Sequence, residues 1–204
     1  LLLDIFKVTS GDENQYDLPF YFMGQVLKVN FDYDTPPTLD ALGDSNGYQH
    51  LYLEGKGRPA DANTTFSWMG NGKFYTLTTV TDAADELLFT RIGANDPEFN
   101  LRRDAALMLR RKARGNTVFV SVVEPHGSYS PVSELAVSSN SSIAELKVAY
   151  DDENYTVVSI THLSGQSSLF ARVNRDAADS GEHEIDIEGR EYRWTGPFHY
   201  FGSP

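Results

Sequence analysis

Hydrophobic and polar residues alternate with a period of two along much of the chain. Residues 145–150 read Glu-Leu-Lys-Val-Ala-Tyr, which places Leu146, Val148 and Tyr150 on one face. Residues 183–188 alternate apolar and acidic positions in the same way. A half-buried antiparallel strand requires this period, because successive side chains point to opposite faces of a sheet. Both segments are therefore predicted to be β-strands.

Turn residues separate such runs from one another. Asn71-Gly72 stands between residues 64–69 and 74–80, which are rich in Thr and aromatic residues. Asn-Gly accepts the positive φ angles of a type I′ turn, so this segment predicts a β-hairpin. Further strands are predicted at residues 51–54, 86–92, 105–111, 117–123, 155–160, 169–173 and 192–194.

About a dozen short strands at these spacings predict an all-β fold, an antiparallel β-sandwich of stacked sheets. Residues 97–114 offer the best helical face, but residues 105–110 fit a buried strand equally well, and the neighbouring strands favour a strand. We expect a single domain over residues 1–204. The polar connector at residues 138–142 marks a sheet-to-sheet division, and residues 32–47, with Pro36-Pro37, form a surface loop.

Composition narrows the classes of function. The 204 residues include 17 Lys and Arg against 29 Asp and Glu, a formal net charge of −12, and 40% are hydrophobic. Such acidity argues against nucleic acid as a partner, because phosphate contacts need clustered basic residues. No apolar run reaches the roughly 18 residues of a membrane span. Cysteine is absent, which excludes disulfides, thiolate catalysis and Cys-based metal sites.

The five histidines lack the spacing of a local zinc site, so no cofactor is predicted in this chain. His126 is the histidine of most interest. It stands in Glu124-Pro125-His126-Gly127, directly after a predicted strand, where loops commonly present functional side chains. A contact to substrate and a purely structural turn are both open for it.

Basic residues concentrate in one segment. Six of the 17 fall within thirteen positions: Arg102, Arg103, Arg110, Arg111, Lys112 and Arg114. The guanidinium fork binds carboxylates bidentately, so Arg102, Arg103 and Arg110 are candidate contacts to an acidic ligand. The alternative is a solvated cluster that offsets the acidic surface elsewhere.

Aromatic residues supply a second kind of candidate site. The chain has 12 Phe, 11 Tyr and 2 Trp. Flat aromatic faces can stack on sugar rings, and Trp68 and Tyr75 of the predicted hairpin are the candidates that we single out. The alternative is that both rings belong to the sandwich core.

Two segments carry a resemblance to a known family. Residues 2–11 read Leu-Leu-Asp-Ile-Phe-Lys-Val-Thr-Ser-Gly and are followed at 16–24 by Tyr-Asp-Leu-Pro-Phe-Tyr-Phe-Met-Gly. Residues 116–126 read Asn-Thr-Val-Phe-Val-Ser-Val-Val-Glu-Pro-His. These segments resemble the C-terminal β-rich region of heparinase II/III-like polysaccharide lyases, and within them the exo-acting oligoalginate lyases most closely.

The resemblance implies an enzyme with an N-terminal α/α toroid and C-terminal stacked sheets, acting in the cleft between them. Such lyases cleave uronate polysaccharides by β-elimination, in the bacterial periplasm or outside the cell, and a structural zinc bound by His and Asp is common. None of the family's catalytic or zinc-binding residues can be matched onto this chain. We therefore expect the non-catalytic C-terminal part of such an enzyme, with the upstream toroid and a uronate oligosaccharide as partners. The start of the chain at Leu1, without Met or signal peptide, fits this expectation.

Two other interpretations stay open at this point. One is a stand-alone carbohydrate-binding module. The other is a structural or adhesive β-sandwich of a larger surface protein.

Overall fold

The computed structural model describes residues 1–93 and 104–202, and this part of the chain is almost entirely β-structure. Its one helical element is a 3-10 turn, η1 (Tyr48–His50). The strands are β1 (Leu2–Phe22), β2 (Gln25–Val29), β3 (Tyr33–Asp34), β4 (Leu51–Gly57), β5 (Asn63–Gly70), β6 (Lys73–Val80), β7 (Glu86–Ile92), β8 (Asp104–Ser130), β9 (Leu135–Val137), β10 (Ile143–Asp151), β11 (Tyr155–His162), β12 (Ser167–Val173), β13 (Glu182–Ile187), β14 (Arg190–Thr195) and β15 (Phe198–Phe201).

The two longest strands organise the first sheet. β1 pairs antiparallel with β8 from Leu2 opposite Val123 to Phe22 opposite Ala105. On its other side, β8 pairs with β7 through residues 104–110 and with β6 through residues 121–128. Beyond β6 the next strands across the sheet are β5 and β2, and beyond β7 they are β4 and β3. β9 pairs with the end of β8. One nine-stranded antiparallel sheet results.

This sheet folds back on itself where β8 lacks a neighbour on the β6–β7 side. At that level β1 has a bulge between Ser10 and Asn14, and Gly115 of β8 has a φ of 82°. A bulge bends its strand, and glycine accepts a positive φ at little cost. The two halves of the sheet therefore face each other, and the rings of Phe66 in β5 and Phe89 in β7 meet with centroids 6.0 Å apart.

The first hydrophobic core fills the space between these halves. Its buried members come from both: Phe31, Phe66, Leu77, Leu87, Leu107, Leu109 and Phe119. The predicted sandwich is confirmed, with the difference that its two facing layers belong to one bent sheet. The pattern cannot show this, because a bend leaves the alternation within each half unchanged.

Two further layers follow outward from the bent sheet, one behind the other. β10, β11, β12 and β15 form a four-stranded sheet, and β13 and β14 form a two-stranded one. Val120 and Val122 of β8 pack on Leu146, Val158 and Ile160 to form a second core. A third core, on the far side of the four-stranded sheet, joins it to the β13–β14 hairpin through residues such as Val157, Ala171 and Trp194.

The local predictions compare well with this structure. The Asn71-Gly72 hairpin is confirmed: these residues have φ angles of 50° and 69° and connect β5 to β6. Residues 105–110 are strand, as favoured over helix, whereas residues 97–103 lie outside the described part of the chain. The connector at residues 138–142 joins β9 of the large sheet to β10 of the four-stranded sheet.

The prediction of a loop at residues 124–127 was wrong, because β8 continues to Ser130. Pro125 is tolerated there because β1 ends opposite Val123 and leaves that side of β8 without a neighbour. Gly127 has a φ of 50°, and a side chain on it would collide with the carbonyl oxygens of Val137 and Ser138. The chain therefore turns back closely against its own strand at this point.

Candidate functional site

An aromatic stack occupies the inner face of the bent sheet at the end away from the bend. Trp68 of β5 lies opposite Tyr75 of β6, with ring centroids 5.2 Å apart and planes at 15°. Phe66 lies 5.4 Å from Trp68, and Phe22 lies 6.0 Å from it. Trp68 is thus a packed member of the stack, as the core alternative anticipated. Tyr75 is the outer ring, and among described residues Trp68 is its one aromatic neighbour.

An apolar cavity near this stack opens beside Phe22. It holds about 450 Å³ and is lined by Phe22, Val26, Tyr33, Phe89 and the Pro36-Pro37 segment. The aromatic and proline side chains supply flat apolar walls, and Thr35, Thr38 and Glu54 supply polar groups. Mostly apolar walls with a few polar groups are typical of small-molecule sites. The loop predicted at residues 32–47 thus helps to form a cavity wall.

His126 lies on the opposite face of the sheet from this stack. Its Nε2 is 2.9 Å from the hydroxyl of Thr76, and its Nδ1 is 2.8 Å from the carbonyl oxygen of Ser138. Thr76 follows Tyr75 in β6, so their side chains point to opposite faces. Because a carbonyl oxygen only accepts, Nδ1 carries the proton and Nε2 accepts from Thr76. Both ring nitrogens therefore have partners within the chain.

Glu124, two residues earlier, anchors the connector between the sheets. Its carboxylate accepts hydrogen bonds from both hydroxyls of Ser141 and Ser142 and from the backbone N–H of Ser142. Burial alone would raise the pKa of this carboxyl, but these hydrogen bonds outweigh it and lower the pKa below its ordinary value. Ser142 Oγ also lies 3.1 Å from Nδ1 of His162. Sequence patterns missed this role, although the run of serines was visible.

The guanidinium of Arg110 is occupied by a carboxylate of the chain. Its Nε and Nη2 each lie 2.8 Å from an oxygen of Asp17, and the Tyr48 hydroxyl donates to the same carboxylate at 2.5 Å. Burial raises the pKa of Asp17, but the bonds from Arg110 and Tyr48 outweigh it and lower the pKa. Arg110 therefore joins β8 to β1, and the Tyr48 hydroxyl holds the segment before β4 against the same carboxylate. The contact of Arg110 with an acidic ligand stays a prediction, and the carboxylate that it binds in this structure is internal.

Arg111 occupies the bend, where β8 has no neighbouring strand on the β6–β7 side. It donates to both oxygens of Asp85, at 2.9 and 2.6 Å, and to the carbonyl oxygen of Val118. Its guanidinium also lies 4.9 Å from the centre of the Phe119 ring. Both members of the pair are nearly excluded from solvent, with side-chain exposures of 10% and 2%. The hydrogen bonds of Arg111 thus stand in for some of the backbone hydrogen bonds that a neighbouring strand would form with β8 on this side.

Arg102 and Arg103 lie outside the described residues. The structure thus places Trp68 and Tyr75 together, and it separates them from His126 and Arg110. In the ranges 1–93 and 104–202, no three His, Asp or Glu side chains lie close enough to hold a metal ion. Within the same ranges, no helix has the length and hydropathy needed to cross a bilayer.

Similarity to known proteins points to one class of enzyme. No protein-family model matches the chain. An alginate lyase of Stenotrophomonas maltophilia is 34% identical over 197 residues, which are 96% of this chain and 26% of that protein. An exo-oligoalginate lyase of Saccharophagus degradans is 30% identical over 200 residues, 96% of this chain and 27% of that protein.

These relatives confirm the predicted resemblance to alginate lyases. The chain spans about a quarter of their length. The wider relation to heparinase II/III-like lyases stays a prediction.

Proposed function

We propose that this chain is the C-terminal, non-catalytic β-sandwich part of a heparinase II/III-like polysaccharide lyase that depolymerises alginate oligomers by β-elimination. The observation that carries the proposal is the similarity of 96% of the chain to about a quarter of two alginate lyases. In the reaction, a base removes the C5 proton of the uronate and an acid protonates the leaving oxygen at C4, so that a C4–C5 double bond forms. We assign these groups to the remainder of the enzyme.

The non-catalytic role is supported by how the charged side chains of the large sheet are used. Both nitrogens of His126 are hydrogen-bonded, and the forks of Arg110 and Arg111 hold Asp17 and Asp85. A general base or a carboxylate-binding arginine needs a free lone pair or free donors in reach of substrate. In this structure these side chains therefore stabilise the fold and have no free lone pair or donor pair directed at a substrate.

A surface for the rest of the enzyme is supported by exposed apolar side chains on β1 and just after it. Leu2, Phe6, Tyr21 and Met23 are 65%, 49%, 55% and 68% exposed. Leu2 and Phe6 form one exposed apolar pair at the start of β1, and Tyr21 and Met23 form another at its end. Neighbouring exposed apolar residues commonly mark an interaction surface. We propose that the upstream toroid of the same polypeptide packs here. The setting that fits a polymer-degrading enzyme of this kind is the bacterial periplasm or the outside of the cell.

Within this enzyme, we propose Tyr75 as a sugar contact, with Trp68 packed behind it. Tyr75 ends the aromatic stack and so has a ring face to offer to a pyranose. His126 and Arg110 stay predicted substrate contacts, and each would have to exchange an internal hydrogen bond to reach a sugar. Replacement of His126 by Ala in the complete gene product tests this point: an unchanged kcat/KM on short uronates would remove His126 from the site.

The experiment that tests the proposal uses two polypeptides. The product of the complete reading frame that contains this chain should release unsaturated uronates from alginate oligomers, measured by the ultraviolet absorbance of the new double bond. The 204-residue chain alone should release none at equal molar concentration. Absence of product from the complete polypeptide would reject the lyase assignment. Product from the chain alone would reject the non-catalytic role.

A further inference from the structure

A groove lies between the β13–β14 hairpin and the four-stranded sheet. It holds about 280 Å³. Its floor includes Ser159 of β11, Ser167 of β12 and Lys147 of β10, and its wall includes Arg190 and Tyr192 of β14. The groove is on the outer side of the four-stranded sheet, away from the bent sheet and its aromatic stack.

The hairpin lies over the four-stranded sheet and packs on it most tightly at one end. At its base, Ile185 and Trp194 are buried in the third core, with exposures of 7% and 5%. Towards its tip Tyr192 is half-buried and Arg190 is exposed. The tip itself is a tight turn at Glu188 and Gly189, which have φ angles of 54° and 82°. Towards the tip Ile187 and Tyr192 are only partly buried against the same core, and the groove lined by Ser159 and Ser167 opens there.

The charges in the groove differ from those of the chain as a whole. Lys147 and Arg190 line it together with one carboxylate, Glu188. In the described part of the chain neither cation forms an ion pair, whereas Arg110 and Arg111 each hold an aspartate. In a protein of net charge −12, this is a local excess of positive charge. Free lysine and arginine donors favour a ligand with a carboxylate.

The remaining walls are suited to a sugar. Tyr192 and Phe201 meet edge to face, with centroids 5.2 Å apart, and the Arg190 guanidinium lies 5.1 Å from the centre of the Tyr192 ring. The Ser159 hydroxyl lines the groove and forms no hydrogen bond within the described part of the chain. A sugar hydroxyl in the groove would take the place of the water that otherwise bonds to it.

We propose that this groove is a second binding site for acidic sugars, which takes one uronate residue. The carboxylate would lie between Lys147 and Arg190, and the ring against Tyr192 with its hydroxyls near Ser159. The choice of a uronate over other small carboxylates rests on the proposed function. The role that we propose for this groove is to hold the polymer.

The test measures binding of monosaccharides, which have no glycosidic bond to cleave. Isotope-labelled chain is titrated with D-mannuronate and, separately, with neutral D-mannose, and backbone amide shifts are followed by NMR. D-Mannuronate should shift the amides of β10, β14 and the Glu188-Gly189 turn, and mannose should bind at least fivefold more weakly. Arg190→Gln and Lys147→Gln should each weaken mannuronate binding at least threefold.

Arg193→Gln is the matched control, because Arg193 lies in the same strand but on the opposite face, where it pairs with Glu184 and Glu191. It should leave binding within twofold of the unchanged chain. Equal binding of mannose and mannuronate, equal loss in all three variants, or no shifts in the groove would overturn the proposal. Activity of the complete gene product on alginate is measured separately, so failure of the lyase assignment and failure of this site give different results.

Discussion

Arg110 and Arg111 of the bent sheet and Arg190 of the outer hairpin differ in their partners and in their exposure to solvent. In the bent sheet Arg110 and Arg111 are paired bidentately with Asp17 and Asp85 and are largely withdrawn from solvent. At the outer hairpin Arg190 is exposed and contacts an aromatic ring instead of a carboxylate. A buried charge must be neutralised locally, whereas an exposed one needs no partner. The comparison teaches that burial, more than residue type or clustering along the sequence, separates scaffold cations from cations available to a ligand.

The buried pair at the bend gives the largest expected effect. Asp85→Asn should lower the free energy of unfolding by about 3–5 kcal/mol, because it removes the buried counter-charge of Arg111 and leaves the solvent-exposed Asp82, 3.6 Å away, in its place. Urea unfolding at neutral pH measures this loss. Glu191→Gln, which affects an exposed pair of the hairpin, should change stability by under about 1 kcal/mol. Equal losses in the two variants would break the distinction between scaffold and surface cations.

The next largest change in stability is expected at Gly127, where β8 packs closely against residues 137 and 138. Gly127→Ala should cost about 3 kcal/mol, because the methyl group meets both a positive φ and the carbonyl oxygens of Val137 and Ser138. Gly115→Ala is the control: it has a positive φ of 82° but open space around the added atom, so about 1–2 kcal/mol is expected. Unfolding midpoints of both variants measure the difference. A cost for Gly127→Ala no larger than that of the control would contradict the close packing of β8 on the connector.

These two sites also show what the sequence could predict. Alternation located most strands, and the Asn71-Gly72 turn was predicted correctly, because both are local properties. Fusion of the two predicted strands at 105–111 and 117–123 into one bent strand was not foreseen. It depends on Arg111 and on a bulge in β1, which lies about 100 residues away along the chain.

The candidate site was predicted less well, and the reason is again one of distance. Trp68 and Tyr75 lie in the two strands of one hairpin, so the turn brings them into contact. The partners of His126 and Arg110, namely Thr76, Ser138 and Asp17, are 12 to 93 residues away along the chain. No local pattern shows whether a basic side chain already has such a partner. The groove at Arg190 was missed for a related reason, since its floor and wall come from separate hairpins.

The anchored carboxylate Glu124 gives a smaller effect that depends on pH. Because its pKa in the folded chain is lowered, the ionised group contributes stability that is fully present above its ordinary value of 4.5. That contribution is lost as the pH falls through the lower folded-state pKa. Glu124→Gln should cost roughly 1.5–3 kcal/mol at neutral pH and should flatten the acid limb of the stability curve. Urea unfolding between pH 7 and pH 3 measures both changes (about four pH units, chosen to span the ordinary carboxyl range).

Glu13→Gln serves as the matched variant for this measurement, because Glu13 is an exposed carboxylate of the same sheet. It should leave the acid limb unchanged. A curve for Glu124→Gln that stays parallel to that of the unchanged chain would show that the serine contacts do not hold the ionised form.

The smallest expected effect concerns the outer ring of the aromatic stack, and it extends the comparison from cations to rings. Tyr75→Leu in the complete gene product should raise KM for alginate oligomers about fivefold with little change in kcat, because an exposed aromatic contact contributes roughly 1 kcal/mol. Tyr75→Phe keeps the ring and should keep the KM. Tyr200→Leu removes a 60%-exposed ring of the four-stranded sheet and should leave KM unchanged. If Tyr75→Leu and Tyr200→Leu raise KM equally, the stack is scaffold in the same sense as Arg110 and Arg111. A KM rise confined to Tyr75→Leu would instead place a sugar at the ring that ends the stack.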